Sequence, residues 1–240
     1  MKPVVFLGPS LPRNEAEGIL GAEYLPPVQQ GDLMRVLPFR PPAIGIIDGV
    51  FTEVPTVRHR EIMWVLSKGI PVFGASSMGA LRAAELHDYG MEGVGVIYRW
   101  YRRYAMTPDD AVAVTHAPHE LGSRPVSDAL FDIRVTLRKA RRQGVIDREH
   151  ERKLVETAEA QMFPKRKLMQ LVVDSGDAKL IGFVKSRHRS QKAADATTLL
   201  KRMSEYDHSG TWPVVDRPPP AVVHAWLDDL AASGLGADFG

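Results

Sequence analysis

Apolar residues in the first part of the chain come in short unbroken runs. Val4-Val5-Phe6-Leu7 is halted by Gly8-Pro9-Ser10, Ala43-Ile44-Gly45-Ile46-Ile47 by Asp48-Gly49, and Ile70-Pro71-Val72-Phe73 leads into Gly74-Ala75-Ser76-Ser77. Runs without polar alternation that stop at turn residues predict strands of a mostly parallel sheet covered on both faces. Ala111-Val112-Ala113-Val114, ended by Thr115-His116, has the same form and predicts a fourth strand. Between the runs the period changes. His59 to Lys68 sets Ile62, Val65 and Leu66 on one helical face with Gly69 as its stop, and the Ala/Leu-rich stretch to Leu86 predicts a helix starting at Ser77.

From Ser127 onward the helical period takes over. Leu130, Ile133, Leu137 and Ala140 share a face, with Ser127 as expected N-cap and Gly144 as the stop. Further helices are predicted over 148–162, 166–174 and 190–203, and a short apolar one over 222–230 follows Pro213 and Pro218-Pro219-Pro220. The expected fold class is α/β: a mostly parallel sheet core covered by helices over residues 1–125. A helical second half, 126–210, packs on it and completes the site, and a Pro-rich tail with a short helix spans 211–240.

Composition narrows the classes. The 240 residues are 44% hydrophobic and 25% charged, enough apolar side chain to offset chain entropy. Cysteine is absent, which removes disulfides, thiolate metal sites and a cysteine nucleophile. No run approaches the ~20 apolar residues that cross a bilayer, and the opening MKPVVFLGPSLPRNE is too soon broken for a signal peptide, so the expected location is cytoplasmic. The net charge of +2 hides an asymmetry: residues 134–202 hold 18 Lys/Arg against 8 Asp/Glu. These are either solvated helix faces or a surface for an acidic partner. Without interleaved aromatics for base stacking, a protein partner is favoured over nucleic acid.

Ligands of open α/β sheets bind beyond the carboxyl ends of the strands. Four loops are expected there: Gly8-Pro9-Ser10, Asp48-Gly49, Gly74 to Gly79, and His116-Ala117-Pro118. Ala75-Ser76-Ser77-Met78-Gly79 is small-x-Ser-x-small at a strand-to-helix junction, the pattern a nucleophile elbow needs because the pinched serine tolerates no bulky neighbours. The helix N-terminus behind it favours a developing oxyanion. The plain alternative is a serine that only caps a helix. A nucleophilic serine needs a base, and His116, His59 or a buried lysine of lowered pKa are all candidates. Metal and nucleotide signatures are weak: His116 and His119 straddle Pro118, and the Gly90-Met-Glu-Gly93-Val-Gly95 run follows a helix rather than a strand. No metal or cofactor is expected.

Several blocks together resemble a known family. Val-Phe-Leu-Gly-Pro-Ser-Leu at 5–11, Ile-Ile-Asp-Gly-Val-Phe at 46–51, His59-Arg-Glu-Ile, Phe-Gly-Ala-Ser-Ser-Met-Gly-Ala-Leu-Arg-Ala-Ala-Glu-Leu at 73–86 and Gly-Met-Glu-Gly-Val-Gly at 90–95 are similar to TfuA-like proteins. Gln191-Lys192-Ala-Ala-Asp195-Ala resembles the later motif of that family. The run Ala-Ser-Met-Gly-Ala also looks like the serine turn of the Clp peptidases, whose nucleophile matches Ser77. The resemblance implies a hydrolase-like partner of a YcaO enzyme in peptide backbone thioamidation, releasing sulfur from a thiocarboxylated, ThiS-type ubiquitin-fold carrier. It carries the nucleophile onto Ser77, with Ser76 as the second choice, and the base onto Lys192, with Lys185 in reserve. It leaves Met78, Gly8, Ser10, Asp48, Gly49 and His116 as the loops around the oxyanion. The competing expectations are a non-catalytic adaptor that docks carrier and peptide onto YcaO, and a Rossmann-like nucleotide-binding regulator.

Overall fold

A computed structural model of the chain describes residues 1–50, 54–104, 108–117 and 124–235. Phe51 of the 46–51 block, and Pro118 and His119, lie outside the described residues. The sheet consists of β1 (Val4–Phe6), β2 (Glu23–Leu25), β3 (Ile44–Ile46), β4 (Val72–Gly74) and β5 (Glu92–Gly93), in the order β2-β1-β3-β4-β5. Every pair is parallel, with Val4 opposite both Glu23 and Ile44, Ile44 opposite Val72, and Phe73 opposite Glu92. The three central strands are the three apolar runs and are buried throughout. The edge strands β2 and β5 are too short and too polar to form a run, and the hydrophobic pattern did not mark them.

Helices α1 (Arg13–Glu17), α2 (Asp32–Val36), α3 (His59–Ser67), α4 (Met78–Glu85) and α5 (Gly95–Arg103) are interleaved with the strands. The second half is α6 (Leu130–Arg142), α7 (Arg148–Glu159), α8 (Leu168–Asp174), α9 (Ala178–Arg187), α10 (Gln191–Ser209) and α11 (His224–Ala232). Alternate strand residues feed opposite faces. Phe6, Ile44, Ile46 and Val72 pack with Ile62, Val65 and Leu66 of α3 and Leu81 of α4. Val5 and Phe73 pack on the other face with Leu199, Leu200 and Met203 of α10. Gly45 makes that second contact possible, since a Cβ there would lie 2.8 Å from the Met203 sulfur. The second face of the sheet is therefore closed by a helix from far downstream. Helices α6 to α9 build a smaller core of their own around Leu137, Leu154, Leu171 and Leu180. The tail runs back along the body, with Trp212 against Phe73 and Trp226 of α11 tilted against Trp64.

Two expectations are corrected. Residues 111–114 are not a strand: Asp109–Val112 form a 3-10 turn, with the Ala111 N–H donating to Pro108 O and the Ala113 N–H to Asp110 O. The run is apolar because the turn is wedged between cores, Val112 in the sheet core and Ala111 against α6, and a short buried run does not by itself tell strand from turn. Ser127 does not cap α6, whose N-cap is Ala129; its Oγ accepts the Thr115 N–H at 2.8 Å and so ties that turn to the helix. No helix among the described residues is long and apolar enough to cross a membrane.

Candidate active site

The strand order reverses between β1 and β3, and the loops leaving those two strands and β4 meet there, as doubly wound sheets dictate. Two glycines bring α4 down onto the strands. A Cβ on Gly79 would sit 1.7 Å from Ile46 O, and one on Gly74 would sit 2.1 Å from Gly79 O. The turn into α4 is pinched at Ser76, at φ 69°, whereas Ser77 follows at φ −116°, ψ −119°. The strained residue expected at Ser77 is thus its neighbour.

Ser76 is fully buried and donates to Ser10 Oγ at 2.8 Å; Ser10 in turn donates to Asp48 Oδ1 at 2.6 Å. The other oxygen of Asp48 accepts the backbone N–H groups of Gly8 and Ser10, at 2.9 and 3.0 Å. The Asp48 carboxylate therefore braces the β1 loop against the β3 loop. The Gly8 N–H is thereby committed to Asp48. The Ser77 N–H is committed too, to Ile47 O and Ala75 O.

The Ser77 side chain makes no cap bond to α4. Its Oγ instead faces the Val112 carbonyl, 3.5 Å away, in the 3-10 turn that replaces the expected strand. Lys192 reaches the same carbonyl from α10, donating from Nζ at 2.8 Å. Both side chains border one cavity of about 720 Å³, whose wall also includes Asp48, Gly49 and His116. Met78 lies behind it, its side chain against Gly49, where a Cβ would come within 2.7 Å of Met78 Cγ. Two alternative bases lie elsewhere. His59 bonds Glu85 at 2.8 Å on an exposed face, and Lys185 is exposed on α9; neither borders the cavity. His116 does border it, with Nδ1 2.8 Å from Ala117 O.

Lys192 is held by the start of α10. Ser190 caps that helix and donates to Asp132 Oδ2 of α6, while Asp132 Oδ1 accepts the Gln191 N–H, each at 2.7 Å. Asp195 accepts the Ile97 N–H at 2.7 Å and the Gln191 side-chain amide at 2.8 Å, joining α10 to the start of α5. Gly95, at φ 98°, leaves room for that carboxylate: a Cβ would meet Asp195 Cγ at 2.4 Å. The Gln-Lys-x-x-Asp motif is thus a clamp around a lysine. Asp132 escaped the reading of the sequence, although an aspartate between Leu130 and Ile133 on an apolar helix face is a signal of a buried acceptor.

Burial pushes the Lys192 amine well below the usual lysine range, against the opposing pull of Asp48 and Asp132. No carboxylate among the described residues lies within ion-pair distance of it. Its place in the first turn of α10, at the positive end of the helix dipole, favours the neutral amine further. The neutral amine is the form that can take a proton from a serine hydroxyl bordering the same cavity. Burial likewise raises the Asp132 carboxyl, despite its bonds from Ser190 and Gln191.

A family model described as TfuA-like protein matches residues 48–167, half of the chain. No curated protein matches. The matched span holds Asp48, Gly49, Ser76, Ser77, His116 and Asp132, whereas Gly8, Ser10 and Lys192 lie outside it.

Proposed function

The chain belongs to the TfuA-like family, which is generally linked to YcaO-associated thioamidation, and on that premise we propose that it is the sulfur-releasing hydrolase of such a system. Its substrate is the C-terminal thiocarboxylate of a ThiS-type ubiquitin-fold carrier. One observation carries the reading: Ser77 Oγ and Lys192 Nζ, far apart in sequence, converge on the Val112 carbonyl, and both residues border one cavity.

Neutral Lys192 removes the Ser77 proton as Oγ attacks the thiocarboxylate carbon. The carbonyl π electrons move onto oxygen, and the Met78 N–H, with a donor from the Gly49 loop, holds that oxyanion. The tetrahedral intermediate collapses, the carbon–sulfur bond breaks, and the Lys192 ammonium returns its proton to sulfur as hydrosulfide leaves. Water, deprotonated by Lys192, then cleaves the Ser77 ester. The balance is thiocarboxylate plus water giving carboxylate plus hydrogen sulfide, with sulfide passing to YcaO. The carrier must thread a narrow C-terminus past Pro9, Val50 and Phe163, which border the cavity.

The test is sulfide release from a thiocarboxylated carrier by wild type, Ser77→Ala and Lys192→Ala, with and without YcaO. Release by wild type alone is expected. Equal release by Ser77→Ala would overturn the nucleophile. Equal release by Lys192→Ala would pass the base to His116, which shares the cavity. If no protein released sulfide even with YcaO, while thioamidation still required the chain, the adaptor reading would replace this one.

A further inference from the structure

Away from the cavity, α5, α6 and α7 leave a groove with an uncommon charge arrangement. Two adjoining depressions, of about 530 and 400 Å³, share Arg138, Arg148 and Glu151. The larger has an apolar floor of Trp100, Phe131, Val135 and Val155, with Val96 39% exposed at its edge. The smaller is lined by Arg138, Arg141, Arg142, Arg148 and Glu151.

The arginines are not equivalent. Arg134 pairs with Glu159 and lies over the Trp100 ring, Arg141 pairs with Glu151, and Arg152 pairs with Glu149 and Glu156. Arg138, Arg142 and Arg148 have no carboxylate partner among the described residues, and all three are exposed. Arg138 and Arg142 are four apart on α6, so their charges repel along one face. Unpaired guanidinium forks converging beside a hydrophobic floor suit a ligand that brings planar carboxylates and an apolar side chain together.

We propose that this groove docks an acidic segment of a partner protein, with two or three carboxylates on the arginines and a large apolar side chain on the Trp100 floor. A nucleic-acid strand fits less well. Glu156 and Glu159 at the floor are each paired with an arginine, so the unpaired positive charge is confined to Arg138, Arg142 and Arg148, a cluster that suits two or three carboxylates better than a continuous phosphate backbone. None of the groove residues borders the Ser77 cavity, so the inference stands apart from the chemistry proposed there.

The test uses the full chain and a fluorescein-labelled peptide, Glu-Glu-Leu-Leu-Glu-Glu-Phe, with binding followed by fluorescence anisotropy. Binding is expected at about 0.05 M sodium chloride and should weaken strongly by about 0.5 M. The double reversal Arg138→Glu/Arg148→Glu should weaken it by at least about tenfold. The control Lys179→Glu/Lys201→Glu, with the same change in net charge on exposed positions outside the groove, should stay within about twofold. Circular dichroism melting checks that both variants are folded. Equal weakening by the control, no binding to wild type, or unchanged binding when serine replaces both leucines and the phenylalanine would each overturn the proposal. So would tighter binding of a thymidine 20-mer that the groove reversal abolishes.

Discussion

Gly79→Ala is the sharpest test of how the elbow is built, because the same substitution elsewhere has the opposite sign. At Gly79 a Cβ would stand 1.7 Å from Ile46 O and 2.6 Å from its carbonyl carbon, so α4 and β3 must separate by roughly 1.5 Å to reach ordinary contact. That separation strains three backbone bonds: Ala75 N–H to Ile46 O at 3.1 Å, and Ser77 and Gly79 N–H to Ile47 O at 3.2 and 3.4 Å. Overpacking costs about 1–3 kcal/mol and each weakened bond up to about 1, while the helix preference of alanine returns about 1. The net expectation is a loss of about 3 kcal/mol, or roughly 6–12 °C in Tm for a chain of this size. Gly182, inside α9, has nothing within 4 Å of the corresponding Cβ and an ordinary backbone. Gly182→Ala should therefore stabilise by about 0.5–1 kcal/mol, raising Tm by roughly 2 °C. Thermal and urea denaturation of the two variants side by side decide the matter. If Gly79→Ala melted at or above wild type, the close approach of α4 to the sheet would not be what shapes the serine turn. Any activity it retained should fall by about a hundredfold, since the Ser77 hydroxyl moves with α4.

Neighbouring serines should behave differently. Ser76→Ala breaks a buried chain to Ser10 and Asp48 and should cost about 1–2 kcal/mol, whereas Ser77→Ala removes only a 3.5 Å contact and should stay within about 0.5 kcal/mol while abolishing sulfide release; the reverse ranking in urea melts would refute the assignment. Glu61, fully buried, has its carboxyl pushed up to about 7 by burial, against N–H donors from Arg58 and Gly31. The folded state thus holds that proton more tightly than the unfolded one, and this contribution, complete below about pH 4.5, is lost as pH rises towards 7, by up to about 3 kcal/mol. Stability from pH 4.5 to 8 should fall more steeply for wild type than for Glu61→Gln, and parallel profiles would show that the carboxyl does not titrate there. Asp195→Ala should lose about 2–3 kcal/mol because the Ile97 N–H is left buried without its acceptor, and should lower turnover beyond what stability explains, since Lys192 rides on the same helix; unchanged turnover in the folded variant would separate the clamp from the chemistry.

What the sequence disclosed follows from the range over which each signal acts. The three central strands are legible because parallel strands buried on both faces need apolar side chains at consecutive positions, and Val4–Phe6, Ile44–Ile46 and Val72–Gly74 meet that need locally. Edge strands such as Glu92–Gly93 have no such requirement, and the 3-10 turn at 109–112 meets the same one without being a strand. Ser77 stands out because Gly74 and Gly79 are local consequences of α4 touching the sheet. The turn's strain is less legible: spacing places it somewhere in Ser76-Ser77, and only the bond from Ser76 to Ser10 decides which serine is locked inward and which faces the cavity. Lys192 is the extreme case. Nothing near it in sequence says that it is buried; that follows from Asp132 on α6 and Gly95–Ile97 on α5 gripping the start of α10, so that the second residue of the helix is held inward. Its lowered pKa is therefore a property of three helices meeting. A substitution that loosens either grip should return the amine towards its ordinary range and shift the acid limb of any Ser77-dependent reaction upward, with the serine itself untouched.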